Sequence, residues 1–324
     1  MSGSSPLALD WPLVRPRARV IVDNDFSGDP DDLVQMAHHL LSPSVEIRAI
    51  IASHLSVGDP WDRSTQQAAN ALAKINELLD VMGLAGRHLV LKGAETALPA
   101  PGRPQVTPAA EAIIAEAMRE DTDLPLYFAA GAGLTELASA WLMEPRIGKR
   151  ITLVWIGGPE YADIAPPPPG SSGPEYNLRI DIAAAQVVFN QSDIAIWQVP
   201  RSTYRQLLLS YAELLTNVRP HGALGRYLAD NIERVMQWTS GFRHGIGETY
   251  VMGDSPLVTL TALQSSFEAD PSSSSYVTRP APEIADDGSY VPDSGGRPIR
   301  VYTQIDGRLT FGDFFAKLQL AAQI

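Results

Sequence analysis

Five aspartates fall within ten residues of one short segment, Val-Asp-Asn-Asp-Phe-Ser-Gly-Asp-Pro-Asp-Asp-Leu at 22–33. Asp23, Asp25, Asp29, Asp31 and Asp32 repel one another at neutral pH unless a cation neutralises them. Oxygen donors with no histidine or cysteine among them suit a hard cation, Ca²⁺ or Mg²⁺. Aspartates before a helix also serve as caps and dipole partners. That accounts for Asp31 or Asp32, and poorly for Asp23 and Asp25, which close an apolar run. The metal reading is therefore preferred.

The elements around the cluster decide where it sits. The β-branched run Val20–Val22 reads as a strand buried on both faces, and 31–41 as a helix with Leu33, Met36, Ala37 and Leu40 on one stripe. Its His38–His39 pair points to different faces, which predicts one packed and one exposed ring. Further strands fit 47–52, 88–91, 126–130, 151–156 and 194–199, and helices fit 63–82, 108–119, 134–143 and 182–191. Strand and helix in strict alternation predict an α/β fold with a mostly parallel, doubly wound sheet. Ligands bind at the carboxyl ends of such strands, where the aspartates lie. The last third breaks the rhythm. Residues 202–217 and 223–238 read as consecutive helices with no strand between them, 268–298 as a loop-rich excursion, and 299–324 as a closing strand and helix. No internal repeat is visible, and a single domain over 1–324 with its core at 18–265 is expected.

Composition narrows the chemistry. The 324 residues include no cysteine, which excludes disulfide scaffolds, thiolate metal sites and cysteine nucleophiles. With 25 basic against 37 acidic residues, the net charge of -12 argues against a nucleic-acid partner. No apolar run approaches the ~20 residues of a membrane span, and the first residues lack a signal-peptide pattern. A soluble, cytoplasmic protein is expected.

An apolar strand ending in Asp-x-Asp also opens the haloacid-dehalogenase type of phosphoryl-transfer protein. There a Thr or Val follows soon after the second Asp; here Phe26, Ser27 and Gly28 follow, and Asp31–Asp32 have no role in that pattern. The segment more closely resembles the nucleoside hydrolase signature Asp-x-Asp-Pro-Gly-x-Asp-Asp, with two extra residues between Asp25 and Asp31 and no Pro-Gly. Three later segments match that family in order. Gly-Ala-Gly-Leu-Thr-Glu-Leu-Ala at 131–138 resembles its Gly-Leu-Thr-Asn turn. Glu-Tyr-Asn-Leu-Arg-Ile-Asp at 175–181 resembles its Glu-Phe-Asn-x-x-x-Asp, and Met-Gly-Asp-Ser-Pro at 252–256 resembles its His-Asp-Pro.

The resemblance implies Ca²⁺ held by Asp25, Asp32, the Gly131 carbonyl and Asp254, with Asp25 also the general base. It implies that Asp31, Glu175 and Asn177 hold the ribose hydroxyls, while Asp23 orients its neighbours from behind and Asp181 caps a helix. It also implies a nucleoside or riboside substrate and a homodimer or homotetramer. One departure matters: the family histidine before the last Asp, implicated in protonating the leaving base, is Gly253 here. Candidates for the missing acid are His244, Tyr250 and His54. Trp238, Phe242 and Tyr250 could stack on a base. The expected activity is calcium-dependent cleavage of a ribonucleoside to ribose and base; hydrolysis of another glycoside, or sugar binding without catalysis, are the alternatives.

Overall fold

The computed structural model describes residues 9, 11–241, 245–268 and 270–323. In chain order the first half contains β1 (Ala18–Asn24), α1 (Asp31–Leu40), β2 (Val45–Ala52), α2 (Gln67–Val81), β3 (Val90–Lys92), α3 (Pro108–Ala117), β4 (Leu126–Ala130), α4 (Thr135–Met143) and β5 (Ile151–Ile156). There follow α5 (Tyr176–Ile180), α6 (Ile182–Gln186), β6 (Ala195–Val199), α7 (Arg201–Tyr204), β7 (Leu208–Ser210), α8 (Tyr211–Glu213), α9 (Gly222–Ser240), β8 (Thr249–Val251) and α10 (Pro256–Thr261). The chain closes with β9 (Ser275–Pro280), β10 (Glu283–Ile284), β11 (Tyr290–Val291), β12 (Pro298–Gln304) and α11 (Gly307–Ala321).

Eight strands form the main sheet in the order β3-β2-β1-β4-β5-β6-β12-β9. All neighbours are parallel except the last pair, where β9 runs antiparallel along β12. Burial on both faces explains the continuous apolar runs: Val20 and Val22 enter the core on one face, Ile21 the core on the other. The predicted α/β class and doubly wound sheet are therefore correct.

The departures have local causes. The single helix expected at 202–217 is broken into α7, β7, α8 and a π-type turn at Leu214–Val218. Leu207 and Leu209 are buried while Leu208 is exposed, a period of two that suits a strand. Ser210 and Glu213 then form a reciprocal capping box that starts a new helix. Within the 268–298 excursion, β9 extends the main sheet and β10 pairs with β11. The helix expected from 63 starts at Gln67, because Asp59 and Asp62 accept from the Trp61 and Ser64 amides and hold the chain in turns. Among the described residues, no helix is long and apolar enough to cross a membrane.

Both histidines of α1 are buried, against the expectation of one exposed ring. Helices α10 and α11 cover the face expected to be exposed. His38 Nε2 lies 2.7 Å from Asp313 Oδ2, and His39 Nε2 lies 2.8 Å from Thr261 Oγ1. Burial depresses His38 to about 4, so its ring is neutral at physiological pH. Asp313 also pairs with the buried Lys317 at 2.6 Å, and Lys317 donates to Ser42 Oγ at 2.8 Å. Asp313→Ala strands this ammonium in the interior, and stability should fall by about 3 kcal/mol, read as a lower urea midpoint. Adding Lys317→Met should recover much of the loss.

Candidate active site

The connections of the sheet reverse direction between β1 and β4, which lie side by side. At such a switch point the two following loops part and leave a crevice at the carboxyl ends of the strands. The Gly131 amide donates to the Asp23 carbonyl at 3.0 Å, continuing the pairing beyond β4. A cleft of about 340 Å³ opens here, with Asp25, Asp29, Asp31, Asp32, Gly131 and Asp254 in its lining.

Asp254 reaches the cleft because the β7–β8 ribbon turns the chain back toward β1, with the Met252 amide donating to the Leu207 carbonyl at 2.7 Å. Asn24 Nδ2 donates to Asp254 Oδ2 at 2.5 Å, and the Asp254 amide donates to Asp31 Oδ2 at 3.0 Å. The Tyr250 hydroxyl donates to Asp29, and Ser53 donates to Asp23 Oδ1. Asp23, Asp25 and Asp32 each keep a buried Oδ2 with no hydrogen-bond partner among the described residues.

Burying carboxylates without cationic partners is costly, and protonation relieves the cost. Burial, and then the charges of neighbours, push Asp25, Asp31 and Asp32 well above the usual carboxylate range. Burial lifts Asp254 to about 7 and Asp29 to about 6. Native pKa values above the unfolded ones mean that the native state holds more protons. This cluster therefore favours folding below about pH 4 and loses that contribution as pH rises toward 7.

The wall opposite is built on the loop and turn around α5. Glu175 caps that helix: its Oε2 accepts from the Leu178 amide at 3.1 Å and the Gly158 amide at 2.8 Å, and its Oε1 accepts from the Tyr204 hydroxyl at 2.7 Å. Asn177 Nδ2 donates to the Gly131 carbonyl at 2.8 Å and the Ile156 carbonyl at 2.7 Å. With those amide hydrogens committed, Asn177 can offer a ligand its Oδ1 as an acceptor. Tyr176 donates to Asp59 Oδ2 at 2.8 Å. Trp61 lines the rim, with the half-exposed Trp238 5.4 Å away edge-on.

A family model described as inosine-uridine preferring nucleoside hydrolase matches residues 20–321. The chain belongs to this nucleoside hydrolase family. It is a divergent member. No curated protein sequence matches it. Among solved structures, a plant nucleoside hydrolase is 18% identical, with a TM-score of 0.71 over 94% of this chain and 99% of that one. A purine-preferring ribonucleoside hydrolase from Gardnerella vaginalis is 19% identical, with the same TM-score and coverage. A type III effector protein, XopQ, solved with adenosine diphosphate ribose, is 14% identical, with a TM-score of 0.64 over 97% and 96% of the two chains. At such identities the likeness concerns the fold.

Among the residues singled out from the sequence, Asp25, Asp31, Asp32, Gly131, Glu175, Asn177 and Asp254 all line this cleft of the nucleoside hydrolase fold. Asp23 lies behind them, and Asp181 caps α6 by accepting from the Ala184 amide at 2.8 Å. His54 is buried away from the lining, with Nε2 3.0 Å from Thr135 Oγ1 and Nδ1 2.9 Å from the Leu55 carbonyl. Tyr250 sits behind Asp29, and Trp238 behind Trp61. Phe242 and His244 lie outside the described residues. The lining also includes Asp29, Trp61, Tyr176, Arg201, Tyr204 and Arg205, none of which was given a role from the sequence. Asp29 was visible within the aspartate run, and Tyr176 sits between Glu175 and Asn177. Arg205 falls in the stretch misread as one helix, and Arg201 immediately precedes it.

A Cβ on Gly131 would collide with the side chains of Asp254 and Asn24. Gly131→Ala should therefore cost about 1–3 kcal/mol by overpacking. The loss should appear in chemical denaturation and diminish when Asp254 is also shortened to alanine.

Proposed function

We propose that the chain hydrolyses the N-glycosidic bond of a ribonucleoside, releasing ribose and free base, with Ca²⁺ at the aspartate cluster. The observation that carries this reading is the gathering of Asp25, Asp32 and Asp254 opposite Glu175 and Asn177 in one cleft of the nucleoside hydrolase fold. Among the described residues, no three such side chains already stand as a metal-holding group. The donor chemistry nevertheless fits a hard cation. The set is all oxygen, and among the described residues its acidic charge has no basic partner within the cluster and the buried Oδ2 atoms of Asp25 and Asp32 lack any donor. Asp25, Asp32, Asp254 and the Gly131 carbonyl would hold the ion. A bound Ca²⁺ supplies the positive charge that keeps these carboxylates ionised and lowers the cost of forming hydroxide beside them.

The chain's own groups divide the remaining work. Asp25, ionised, accepts the proton of the attacking water. Asp31, Glu175 and the Asn177 Oδ1 accept hydrogen bonds from the ribose 2′ and 3′ hydroxyls. As the glycosidic bond breaks, the sugar gains oxocarbenium character, and the surrounding carboxylates stabilise that charge. Among the described residues the leaving base receives less help: Gly253 has no side-chain acid, the Tyr250 hydroxyl is engaged by Asp29, and His54 is outside the cleft lining. A second reading, a different glycoside as substrate, is favoured by Pro168, one of four consecutive prolines at 166–169, which lines the cleft together with Gly253.

Release of reducing sugar from a panel of nucleosides and other glycosides tests the assignment. Turnover of a nucleoside is expected, with p-nitrophenyl riboside cleaved about 10²–10⁴ times faster because it needs no acid. Activity confined to another glycoside would overturn the nucleoside reading.

Asp25→Asn retains a coordinating oxygen and cannot take a proton, so kcat should drop at least a hundredfold, within the ~10²–10⁴ of general-base catalysis. A loss under tenfold would assign the base elsewhere.

After EGTA treatment, added Ca²⁺ should raise Tm, since it binds the native cluster. The rise should be larger at pH 7.5 than at pH 5, because protons and the cation compete for the same carboxylates. Full activity in a verified metal-free sample would sink the metal role.

A further inference from the structure

Among the described residues, six carboxylates and two cationic side chains line the cleft. Both cations, Arg201 and Arg205, come from the turn that follows β6, and Tyr204 between them donates to Glu175 Oε1 at 2.7 Å. The positive charge is thus gathered beside the carboxylate assigned to the ribose. Arg201 is held rigidly: its Nε and Nη2 donate to the two oxygens of Glu160 at 2.8 and 2.6 Å, and the Glu160 side chain is only 2% exposed. Its Nη1 makes no hydrogen bond to a described residue. Arg205 is exposed and forms no ion pair with a described carboxylate.

Glu160 bonds Arg201 directly, whereas Arg205 reaches it only through its field, with no hydrogen bond between them. One carboxylate so engaged leaves the Arg205 guanidinium exposed at the same end of the cleft. A neutral nucleoside calls for no cation there. A phosphate would be repelled by the acidic floor in a chain of net charge -12 unless such cations received it. One fixed guanidinium and one exposed one are suited to a phosphate's oxygens, which accept charge-assisted hydrogen bonds.

We propose that Arg201 and Arg205 form a subsite for a phosphate on the ribose, so that the substrate class is a ribonucleoside 5′-monophosphate. This rests on the ribose placement proposed above. With the 2′ and 3′ hydroxyls engaged by Asp31, Glu175 and Asn177, and the base on C1′, the 5′ position is left to carry the phosphate.

The test compares kcat/KM for one nucleoside and its 5′-monophosphate, and separately measures ribose, ribose 5-phosphate and inorganic phosphate binding by calorimetry with the Ca²⁺-loaded protein. The monophosphate should be preferred at least tenfold. Arg205→Ala should reduce the ratio of the two kcat/KM values about tenfold, Arg205→Lys should retain part of it, and added salt should erode it. Ribose 5-phosphate should bind more tightly than either ribose or inorganic phosphate. Equal or better cleavage of the plain nucleoside, or phosphate binding that needs no ribose, would overturn the subsite. If neither nucleoside nor monophosphate is cleaved, the hydrolase reading fails by itself. The subsite then stands if ribose 5-phosphate outbinds ribose in an Arg205-dependent way, and falls if it does not.

Discussion

Carboxylates buried together repel, and the architecture around the end of β1 is arranged to hold them there. Asp25, Asp31, Asp32 and Asp254 are all buried, and among the described residues no cationic side chain pairs with them. What binds them to one another is neutral and directional: Asn24 donates to Asp254, the Asp254 amide donates to Asp31, and Tyr250 donates to Asp29. Each of these bonds joins the first βα connection to the segment around 250, more than 200 residues later. The last third of the chain therefore completes a site that the first thirty residues begin. The β7–β8 ribbon and the packing of α10 against α1 serve that return.

The parts most visible in the sequence were those whose signal is local. Continuous β-branched runs are forced by burial on both faces of a parallel sheet, so β4 and β5 stood out with their boundaries intact and β1 through its centre at 20–22. The aspartate run, Glu175, Asn177 and Asp254 stood out through their chemistry and through the order of family-like segments. What escaped was decided by partners distant in the chain. His38 and His39 form a polar pair on an amphipathic helix, and only the later arrival of Asp313 and Thr261 makes room for both inside. Residues 202–217 carry enough leucine to suit a helix. Pairing of Leu208–Ser210 with Thr249–Val251 overrides that preference, and Arg201 and Arg205 came to notice only with the turn it creates.

The sugar-facing wall differs in character from the floor. Glu175 and Asn177 are restrained by backbone groups on both sides, so their positions follow from the fold of the Gly157–Gly158 and Gly131 turns. Such restraint limits adjustment on binding and favours ligands whose hydroxyls already match the acceptors offered. At the rim, the side chains of Trp61 and Arg205 make no hydrogen bond to a backbone group among the described residues. Divergence within the family can accumulate there without disturbing the acidic floor.

Two glycines in this cleft have opposite evolutionary prospects. Gly131 is walled in by Asp254 and Asn24, so any other residue must displace the acidic floor itself. At Gly253 the backbone does not need glycine's freedom, and an added Cβ would stand 3.4 Å from Asp31 Oδ2 and from the Tyr204 ring, an ordinary contact. The missing side chain is thus a choice of sequence and not a demand of the fold. Position 253 is a site where lineages could gain or lose a proton donor over the leaving group while the scaffold stays unchanged.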